Sequence, residues 1–338
     1  MRTLLITDLH LNSKIKGLLD AQVECILKIY EEEGPDEVII MGDVFNYRKP
    51  SPSELLAFKK IIDSFGQGDV TILRGNHDSE TKADDGVTAL SVFEDFNVDV
   101  ITHTEHNHAK ERVYIPHYEN EETLISALEM VPEGYPVFGH FGYVGCLNSV
   151  GDADSELSLS NFRTNTFLGH IHGFREGQGG LPEAHSRVIC LGSPYSTNYG
   201  EAFKDSYYAI LYQDLHIQSN DVKVEVKKCM HGPRHLIYKA ADLEENLSTI
   251  NDPNYYTFLR VMVDSDHHPI PYDQLKVAHL DVKYTPVFNE EDISSYVPER
   301  DLFSLNEVII SDYVDGARSS IPTEILMEGY RLLKDEDQ

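Results

Sequence analysis

Val70-Thr71-Ile72-Leu73-Arg74-Gly75-Asn76-His77-Asp78 joins a short apolar run to a turn that carries an amide, an imidazole and a carboxylate. The apolar run predicts a buried strand. Four other polar clusters each follow an apolar run in the same way: Asp8-Leu9-His10, Gly42-Asp43, Gly139-His140 and Gly169-His170-Ile171-His172. In open α/β sheets, ligand sites form beyond the carboxyl ends of the strands. The repeated pattern therefore predicts an α/β fold with one polar site at the edge of a sheet.

The spacing of apolar residues around these clusters predicts the order of the elements. Residues 2–7, 38–41 and 70–73 read as strands, separated by helices at 18–30 and at 53–65, the second with Ser53 as its N-cap. This order predicts a parallel sheet with right-handed crossovers. Later segments predict helices at 85–93 and 121–130 and strands at 98–101, 113–115, 137–138, 187–191 and 207–212, the last two in a second sheet. We therefore expect two stacked sheets with helices outside, a four-layer αββα sandwich.

The pattern changes after residue 215, which predicts three domains. Residues 1–215 hold all five clusters and form the predicted catalytic domain. Residues 232–288 predict a small α+β unit with helices at 242–250 and 272–279. From residue 289 to 338, a tail with two predicted helices carries 13 acidic and 4 basic residues, a net charge of −9.

Composition limits the classes of function. The chain of 338 residues has 28 basic and 57 acidic side chains, a net charge of −29, which argues against broad electrostatic binding of nucleic acid. A nucleic-acid enzyme is still allowed, because bound cations and a few local Lys or Arg residues can make a cleft attractive to phosphate. No apolar run approaches the roughly 20 residues of a membrane helix. The four scattered cysteines form no metal-type pair in the sequence, which indicates reduced thiols in a cytoplasmic protein.

The five clusters offer seven metal ligands, three through oxygen and four through imidazole nitrogen: Asp8, His10, Asp43, Asn76, His140, His170 and His172. This mixture suits Mn, Fe or Zn better than Ca or Mg alone. Seven ligands are too many for one ion, so we predict two ions that share a bridging carboxylate. Such a pair, about 3.5–4 Å apart, can hold a phosphate and generate a nucleophile from water. The predicted reaction is hydrolysis of a phosphoester.

His77 and Asp78 are the predicted catalytic residues. Because His77 follows the ligand Asn76, we expect its imidazole to reach the substrate, where it would stabilise developing charge or protonate the leaving oxygen. We expect Asp78 to hold the orientation of that imidazole.

Taken together, the five motifs resemble those of the calcineurin-like metallophosphoesterases over roughly residues 1–215. The alternative interpretation is that these polar residues only cap turns at the strand ends. It would have to account for each of the seven ligand-type residues separately. Within the superfamily, Gly42-Asp43-Val44-Phe45 and Leu191-Gly192-Ser193-Pro194 are similar to segments of the DNA-repair nucleases of the SbcD type and their phage relatives. Three departures are Leu9 for the usual Trp, Asn12 for Gly, and Asn46 where many members have a His that is linked to exonuclease action.

This resemblance implies a DNA nuclease subunit, exonuclease or endonuclease, that processes double-strand breaks in recombination. It implies two divalent ions, for which we expect Mn²⁺ with Mg²⁺ as the alternative. It also implies an SMC-like coiled-coil ATPase partner bound by the tail, a DNA-capping role for residues 232–288, and a homodimer. Two rival hypotheses are a stand-alone phosphodiesterase for a small molecule and a non-catalytic scaffold, although a scaffold has no need of seven intact ligands.

Other polar residues have two interpretations each. Lys14, Lys16, Arg48 and Lys49 could contact DNA phosphates or be solvated loop charges. Tyr195, Asn198 and Tyr199 could line the substrate cleft or be packing residues. We interpret six further histidines as surface or hydrogen-bonded groups and not as ligands: His103, His106, His108, His117, His267 and His268.

Overall fold

The computed structural model describes residues 1–66, 68–95, 97–146, 155–179, 186–213, 222–263 and 270–284. The predicted acidic tail and the pair His267-His268 lie outside these residues. In the described part of the chain, no helix has both the length and the apolarity needed to cross a membrane.

Fifteen strands and four α-helices are described, numbered along the chain. The strands are β1 (Arg2–Ile6), β2 (Glu37–Ile40), β3 (Asp69–Leu73), β4 (Val98–Ile101), β5 (Glu105–Asn107), β6 (Arg112–Ile115), β7 (Val137–His140), β8 (Thr166–Gly169), β9 (Arg175–Gly179), β10 (Ser186–Cys190), β11 (Tyr207–Tyr212), β12 (Lys223–Lys228), β13 (Gly232–Lys239), β14 (Tyr255–Val263) and β15 (His279–Tyr284). The helices are α1 (Leu18–Glu33), α2 (Pro52–Ser64), α3 (Glu121–Glu129) and α4 (Leu247–Ile250).

Two six-stranded sheets carry most of the fold. The first has the order β12-β11-β1-β2-β3-β4, and its strands β1 to β4 are parallel, as the β-α-β-α-β pattern predicts. The second has the order β5-β6-β7-β8-β10-β9, with parallel β6, β7, β8 and β10 between two antiparallel edge strands. Parallel strands send all their carboxyl ends to one edge of a sheet, which is why the motif residues of each sheet can meet.

The two sheets pack face to face through a core of buried apolar side chains. Leu5 and Ile39 of the first sheet belong to the same buried cluster as Phe138 and Ile189 of the second. Helices α1 and α2 cover the outer face of the first sheet, and α3 covers that of the second. The predicted four-layer αββα arrangement is confirmed.

A buried ion pair ties the two sheets together at the edge opposite the carboxyl ends. The Glu37 carboxylate in β2 accepts a hydrogen bond from Arg112 in β6 at 2.6 Å, and Lys110 approaches its other oxygen at 2.6 Å. Arg112 and Glu37 are fully buried, and Thr3 Oγ1 donates to the same carboxylate at 2.8 Å. Removing one partner would leave an uncompensated charge in the interior.

Within residues 1–215, three predicted elements differ from the structure. The segment 85–93 contains a 3₁₀ helix, Ala89–Phe93, in place of the predicted α-helix. Thr88 explains the difference, because its Oγ1 accepts from Leu90 N at 3.1 Å and donates to Asp78 O at 2.7 Å, and such local bonds compete with helical ones. Helix α2 begins after Ser51, not Ser53, because Ser51 and Glu54 form a capping box.

The third difference concerns the sheet to which β11 belongs. The sequence pattern predicts residues 207–212 in the second sheet, but β11 pairs antiparallel with β1 in the first, with Leu5 opposite Ala209. An apolar strand sequence indicates burial on both faces, but it does not indicate which strand lies next to it in the sheet.

After β12, the chain forms a separate three-stranded parallel sheet, β13-β14-β15. Its helical elements are shorter than predicted. Residues 242–250 contain only the end of a 3₁₀ turn and the short α4, and residues 272–279 contain the 3₁₀ turn Tyr272–Gln274 before β15 begins at His279. The domain boundaries at 215, 232 and 288 stay predictions.

Candidate metal centre

The predicted ligands come together where the carboxyl ends of both sheets meet. Asp8 and His10 follow β1, Asp43 follows β2, Asn76 follows β3, His140 ends β7, and His170 and His172 follow β8. The side chains divide into two neighbouring groups, Asp8, His10 and His172 in the first and Asp43, His140 and His170 in the second, and a third set, His10, Asp43 and His77, connects them.

Four of these residues occupy the left-handed backbone region that side chains other than glycine rarely adopt. The φ angles are 53° at Asp8, 42° at His10, 52° at Asp43 and 77° at His170. Each such conformation costs about 1–3 kcal/mol and persists only where the surrounding structure enforces it. Strain concentrated on four motif residues indicates that the fold sacrifices stability to aim these side chains inward.

In the first group, three side chains converge on one point. His10 Nε2 and His172 Nε2 are 2.9 Å apart, and Asp8 Oδ1 lies 3.9 Å and 3.7 Å from these two nitrogens. Burial lowers the pKa of His10 well below its usual range, so the imidazole stays neutral and can bind a metal. Two ligands about 2.1 Å from one ion lie about 3.0 Å apart in octahedral and about 3.4 Å apart in tetrahedral coordination, so the 2.9 Å between the nitrogens matches the octahedral angle.

The second group is built around the Nε2 atom of His140. Its Nδ1 donates to Met41 O at 2.6 Å, so Nε2 carries a lone pair in the neutral ring. This Nε2 faces two oxygens, Asn76 Oδ1 at 3.2 Å and Asp43 Oδ1 at 3.3 Å, and His170 Nδ1 lies 3.1 Å from the same Asn76 oxygen. A lone pair surrounded by acceptor oxygens requires a proton or a metal cation, and the donor set suits a metal.

Asp43 lies between the two groups. Its Oδ2 is 3.5 Å from His10 Nε2, while its Oδ1 is 3.3 Å from His140 Nε2. Burial opposes charge on both Asp43 and His140, but each stabilises the other, so the pKa of Asp43 is held well below its usual range and that of His140 is raised to about 9. A carboxylate with one oxygen toward each group is the arrangement expected of a bridging ligand.

Glu201, which no sequence motif indicates, orients His172. Glu201 Oε1 accepts the Nδ1 proton of His172, and this leaves Nε2 as the free ligand atom. Thr197 holds the carboxylate in place, with its N donating to Oε2 at 2.7 Å and its Oγ1 donating to Oε1 at 2.9 Å. The only sequence signal was indirect, since Glu201 lies in the segment that follows the Gly-Ser-Pro motif.

His77 lies beside the first group. Its ring is 4.8 Å from that of His10, and its Nδ1 lies 2.9 Å from the carbonyl oxygen of Asn46. Its backbone N–H donates to Asp43 Oδ1 at 2.9 Å, which also fixes the bridging carboxylate. The proposed contact of the imidazole with substrate stays a prediction.

The role predicted for Asp78 is wrong. Its buried carboxylate does not orient His77, because it accepts backbone hydrogen bonds from Gly75 at 2.9 Å, Phe45 at 3.1 Å and Val44 at 3.3 Å. Burial, with a smaller effect from Asp43, raises the pKa of Asp78 to about 6. Asp78 therefore joins the loops after β2 and β3 and holds Asp43 and Asn76 in register.

His117, interpreted from the sequence as a surface or hydrogen-bonded group, lies beside the candidate ligand His170. Its ring lies 5.7 Å from that of His170, and burial lowers its pKa to about 3, so it stays neutral. His117 and His170 line a cavity of about 500 Å³ beside the second group, together with Glu119, Glu121 and Glu156. The three other described histidines of this set lie in none of the candidate ligand groups found among the described residues.

Two of the candidate DNA-contacting cations are occupied within the chain. Lys14 Nζ lies 3.5 Å above the ring of Tyr47. Arg48 Nη1 donates to Ser79 O at 3.1 Å and to Thr81 O, which fixes the loop after β3. Lys16 and Lys49 are exposed.

Comparison with known proteins gives a family. Residues 1–174 match the family model described as calcineurin-like phosphoesterase. Similar solved structures include a dimetal phosphatase from Danio rerio, with 12% identity, a TM-score of 0.38, and coverage of 63% of this chain and 92% of that one. A novel archaeal phosphodiesterase has 12% identity and a TM-score of 0.36, with coverage of 67% and 100%. A protein from Thermus thermophilus has 14% identity and a TM-score of 0.36, with coverage of 66% and 97%.

No curated protein matches the chain. Because the three TM-scores are below 0.5, the assignment depends on the family model, which spans residues 1–174 of 338 and contains all seven predicted ligands. The chain belongs to the calcineurin-like phosphoesterase family.

Proposed function

We propose that this protein is a two-metal phosphodiesterase that cleaves DNA, as the nuclease subunit of a complex with an SMC-like ATPase. The observation that carries the two-metal assignment is Asp43, whose two oxygens face two separate groups of nitrogen and oxygen ligands. Membership of the family implies hydrolysis of phosphoesters, and the restriction to DNA is our proposal.

The residues around the centre divide the work of hydrolysis. Two bound divalent ions, for which we propose Mn²⁺, would supply positive charge against the phosphoester and a nucleophile from water at neutral pH. Glu201 and Met41 O fix the ring orientations of His172 and His140 through their Nδ1 atoms. His77, held at Nδ1 by the Asn46 carbonyl, presents its other ring nitrogen as the group that stabilises the leaving oxygen.

The proposal of DNA as the substrate draws on the resemblance of the segment after β10 to that of the SbcD-type nucleases. Ser193 Oγ donates to Asp8 O at 2.9 Å, and Tyr195 OH donates to Leu9 O at 2.7 Å. These two hydrogen bonds hold the Gly-Ser-Pro segment, which resembles that of the SbcD-type nucleases, against the backbone of the first metal motif. The three-stranded sheet that follows is the element to which we assign the DNA-capping role.

We further propose that the protein works in the cytoplasm as a homodimer whose acidic tail, residues 289–338, binds the ATPase. The dimer is supported by exposed apolar side chains on α2 and the neighbouring 3₁₀ helix. Leu56 is 69% exposed and Val92 is 73% exposed, and both line a cavity of about 670 Å³ on that face.

A second candidate function is hydrolysis of a small phosphodiester. The cavity beside His117 and His170 favours it, because Glu119, Glu121 and Glu156 would repel a polyanion. The overall net charge of −29 points the same way unless a partner supplies the grip on DNA.

Hydrolysis of end-labelled duplex DNA and of bis(p-nitrophenyl) phosphate separates the two functions. Wild type in Mn²⁺ should cleave DNA, and Asp43→Asn should lose both activities. Cleavage of the small diester alone, with DNA intact even when candidate ATPase partners are added, would reject the nuclease and leave the small-molecule phosphodiesterase.

A further inference from the structure

A second cluster of metal-binding side chains lies away from the centre described above. Cys25 projects from α1, while Cys229 and His231 lie in the connection between β12 and β13. All three are buried, with exposed fractions of 2%, 3% and 8%. Their ligand atoms lie within 4.8 Å of one another.

The distance between the two sulfurs suits a shared tetrahedral ion. Zinc binds thiolate sulfur at about 2.3 Å, so two sulfurs on one tetrahedral zinc lie about 3.8 Å apart. Cys25 Sγ and Cys229 Sγ are 3.8 Å apart. Both thiols otherwise have the same acceptor, His231 O, at 3.5 Å and 3.2 Å.

The imidazole of His231 provides an independent observation. Its Nε2 is buried and has no hydrogen-bond partner among the described residues. Buried polar atoms in native proteins are nearly always satisfied, so this nitrogen points to a group that binds it. Glu32 Oε2, on the same helix as Cys25, lies 4.0 Å from this Nε2 on an exposed side chain outside the group of three, so the carboxylate must move inward to become a fourth ligand.

The connection is shaped to approach Cys25 closely. Gly232 has a φ of +101°, and a Cβ atom there would lie 2.5 Å from Cys25 Sγ. Only glycine therefore allows His231 and Cys229 to lie against α1. A cavity of about 220 Å³, lined in part by Cys229 and His231, gives access to the cluster.

A second cysteine pair shows that the distance between two sulfurs does not by itself identify a metal site. Cys146 Sγ and Cys190 Sγ are also 3.8 Å apart, but among the described residues they belong to no candidate group with a third metal-binding side chain. The two pairs therefore differ in the imidazole and the carboxylate, which makes Cys146 and Cys190 a matched control.

We propose that Cys25, Cys229 and His231 bind one structural zinc ion, and that the exposed Glu32 carboxylate turns inward as the fourth ligand when the ion binds. Binding displaces the two thiol protons and joins α1 to the start of the three-stranded sheet. The ion thereby fixes the connection from the catalytic sheets to the β13-β14-β15 sheet. This site is separate from the phosphoesterase centre, which contains no sulfur ligand among its predicted residues.

Cobalt(II) tests the proposal, because only thiolate ligands give it an intense near-ultraviolet charge-transfer band. Full-length reduced protein, stripped of metal with a chelator, is titrated with Co²⁺ and then with Zn²⁺. We expect the intensity of the band to level off at the value for one cobalt ion with two thiolate ligands per chain. The band should disappear on adding Zn²⁺. Cys25→Ser and Cys229→Ser should lose the band, whereas the double variant Cys146→Ser/Cys190→Ser should keep it.

Several results would overturn the proposal. They are a wild type without the band although all four thiols are reactive after denaturation, a band that survives Cys25→Ser, and a band lost only in the Cys146/Cys190 variant. Peptide mapping that finds a Cys25–Cys229 disulfide in protein purified without reductant would replace the zinc site with a redox pair. The wild-type titration needs no substitution, so a variant that fails to fold does not decide the result.

Discussion

Replacing Glu201 with Gln tests how the metal centre depends on a residue that touches no ion. The Glu201 carboxylate accepts hydrogen bonds from His172 Nδ1, Thr197 N and Thr197 Oγ1, and Asn198 Nδ2 lies 3.4 Å away. A glutamine of the same size has one acceptor oxygen and one donor NH₂ group. It therefore cannot satisfy all of these donors.

Either orientation of the new amide has a cost. If its NH₂ group faces His172 Nδ1, the imidazole must carry its proton on Nε2, which destroys the ligand atom that lies 2.9 Å from His10 Nε2. If its oxygen faces Nδ1, the NH₂ group opposes the Thr197 N–H, and a lost hydrogen bond to a buried donor costs about 1–3 kcal/mol. Loss of such supporting contacts typically weakens metal binding or activity by about 10–100-fold, or about 1.4–2.7 kcal/mol.

The assay is the Mn²⁺ dependence of phosphodiester hydrolysis. We expect Glu201→Gln to require about 10–100-fold more Mn²⁺ for half-maximal rate and to recover most of its turnover at saturating metal. Glu176→Gln is the control, because that carboxylate pairs with Arg187 on an exposed strand. A Glu201→Gln protein whose Mn²⁺ requirement is within about twofold of wild type would refute the tautomer argument.

Three more predictions concern the core and the motif loops. Glu37→Gln should lower the free energy of unfolding by about 3–5 kcal/mol in urea, against about 0.3–0.5 kcal/mol for Asp63→Asn, whose carboxylate pairs with Lys59 one turn away on the exposed face of α2. Burial opposes the Glu37 charge, but Arg112 and Lys110 lower its pKa below 4.5, so wild type should lose this stability as pH falls below that value and Glu37→Gln should not. His77→Ala should retain bound metal and lose most turnover. Gly42→Ala should lose bound metal, because its Cβ would lie 2.3 Å from the β7 histidine.

Distinct results would contradict each of these. Equal unfolding free energies for Glu37→Gln and Asp63→Asn would show that the buried ion pair does not stabilise the fold. Parallel pH dependence of Glu37→Gln and wild type would show the same. Loss of metal from His77→Ala would make His77 a ligand. Normal metal content in Gly42→Ala would mean that the loop after β2 can shift away from the imidazole.

The sequence predicted that the candidate ligands lie close together because each follows or ends a strand; their role as ligands stays a prediction. Asp8, Asp43 and His140 sit at strand ends, and parallel strands bring such ends together regardless of the loops between them. The count and types of donor predicted two ions and one bridging carboxylate, whereas the division of the residues into groups and the position of Asp43 between them came from the structure. These predictions depend on local pattern and topology, both of which leave traces in the sequence.

Residues that act through long-range contacts could not be predicted. Glu201 reaches His172 across 29 positions, and Cys25 meets Cys229 across 204. Asp78 looked like a partner for its neighbour His77, but the tight turn directs its carboxylate to three backbone N–H groups. No periodicity reports such contacts, since they arise only when separate loops are packed together.

Electron paramagnetic resonance of the Mn²⁺-loaded protein tests the two-ion centre most directly. Two ions joined by the Asp43 carboxylate should give an exchange-coupled spectrum in wild type, and Asp43→Asn should give only the signal of isolated Mn²⁺. An uncoupled spectrum in wild type at saturating Mn²⁺, or coupling that survives Asp43→Asn, would contradict the bridged centre on which the proposed phosphodiesterase rests.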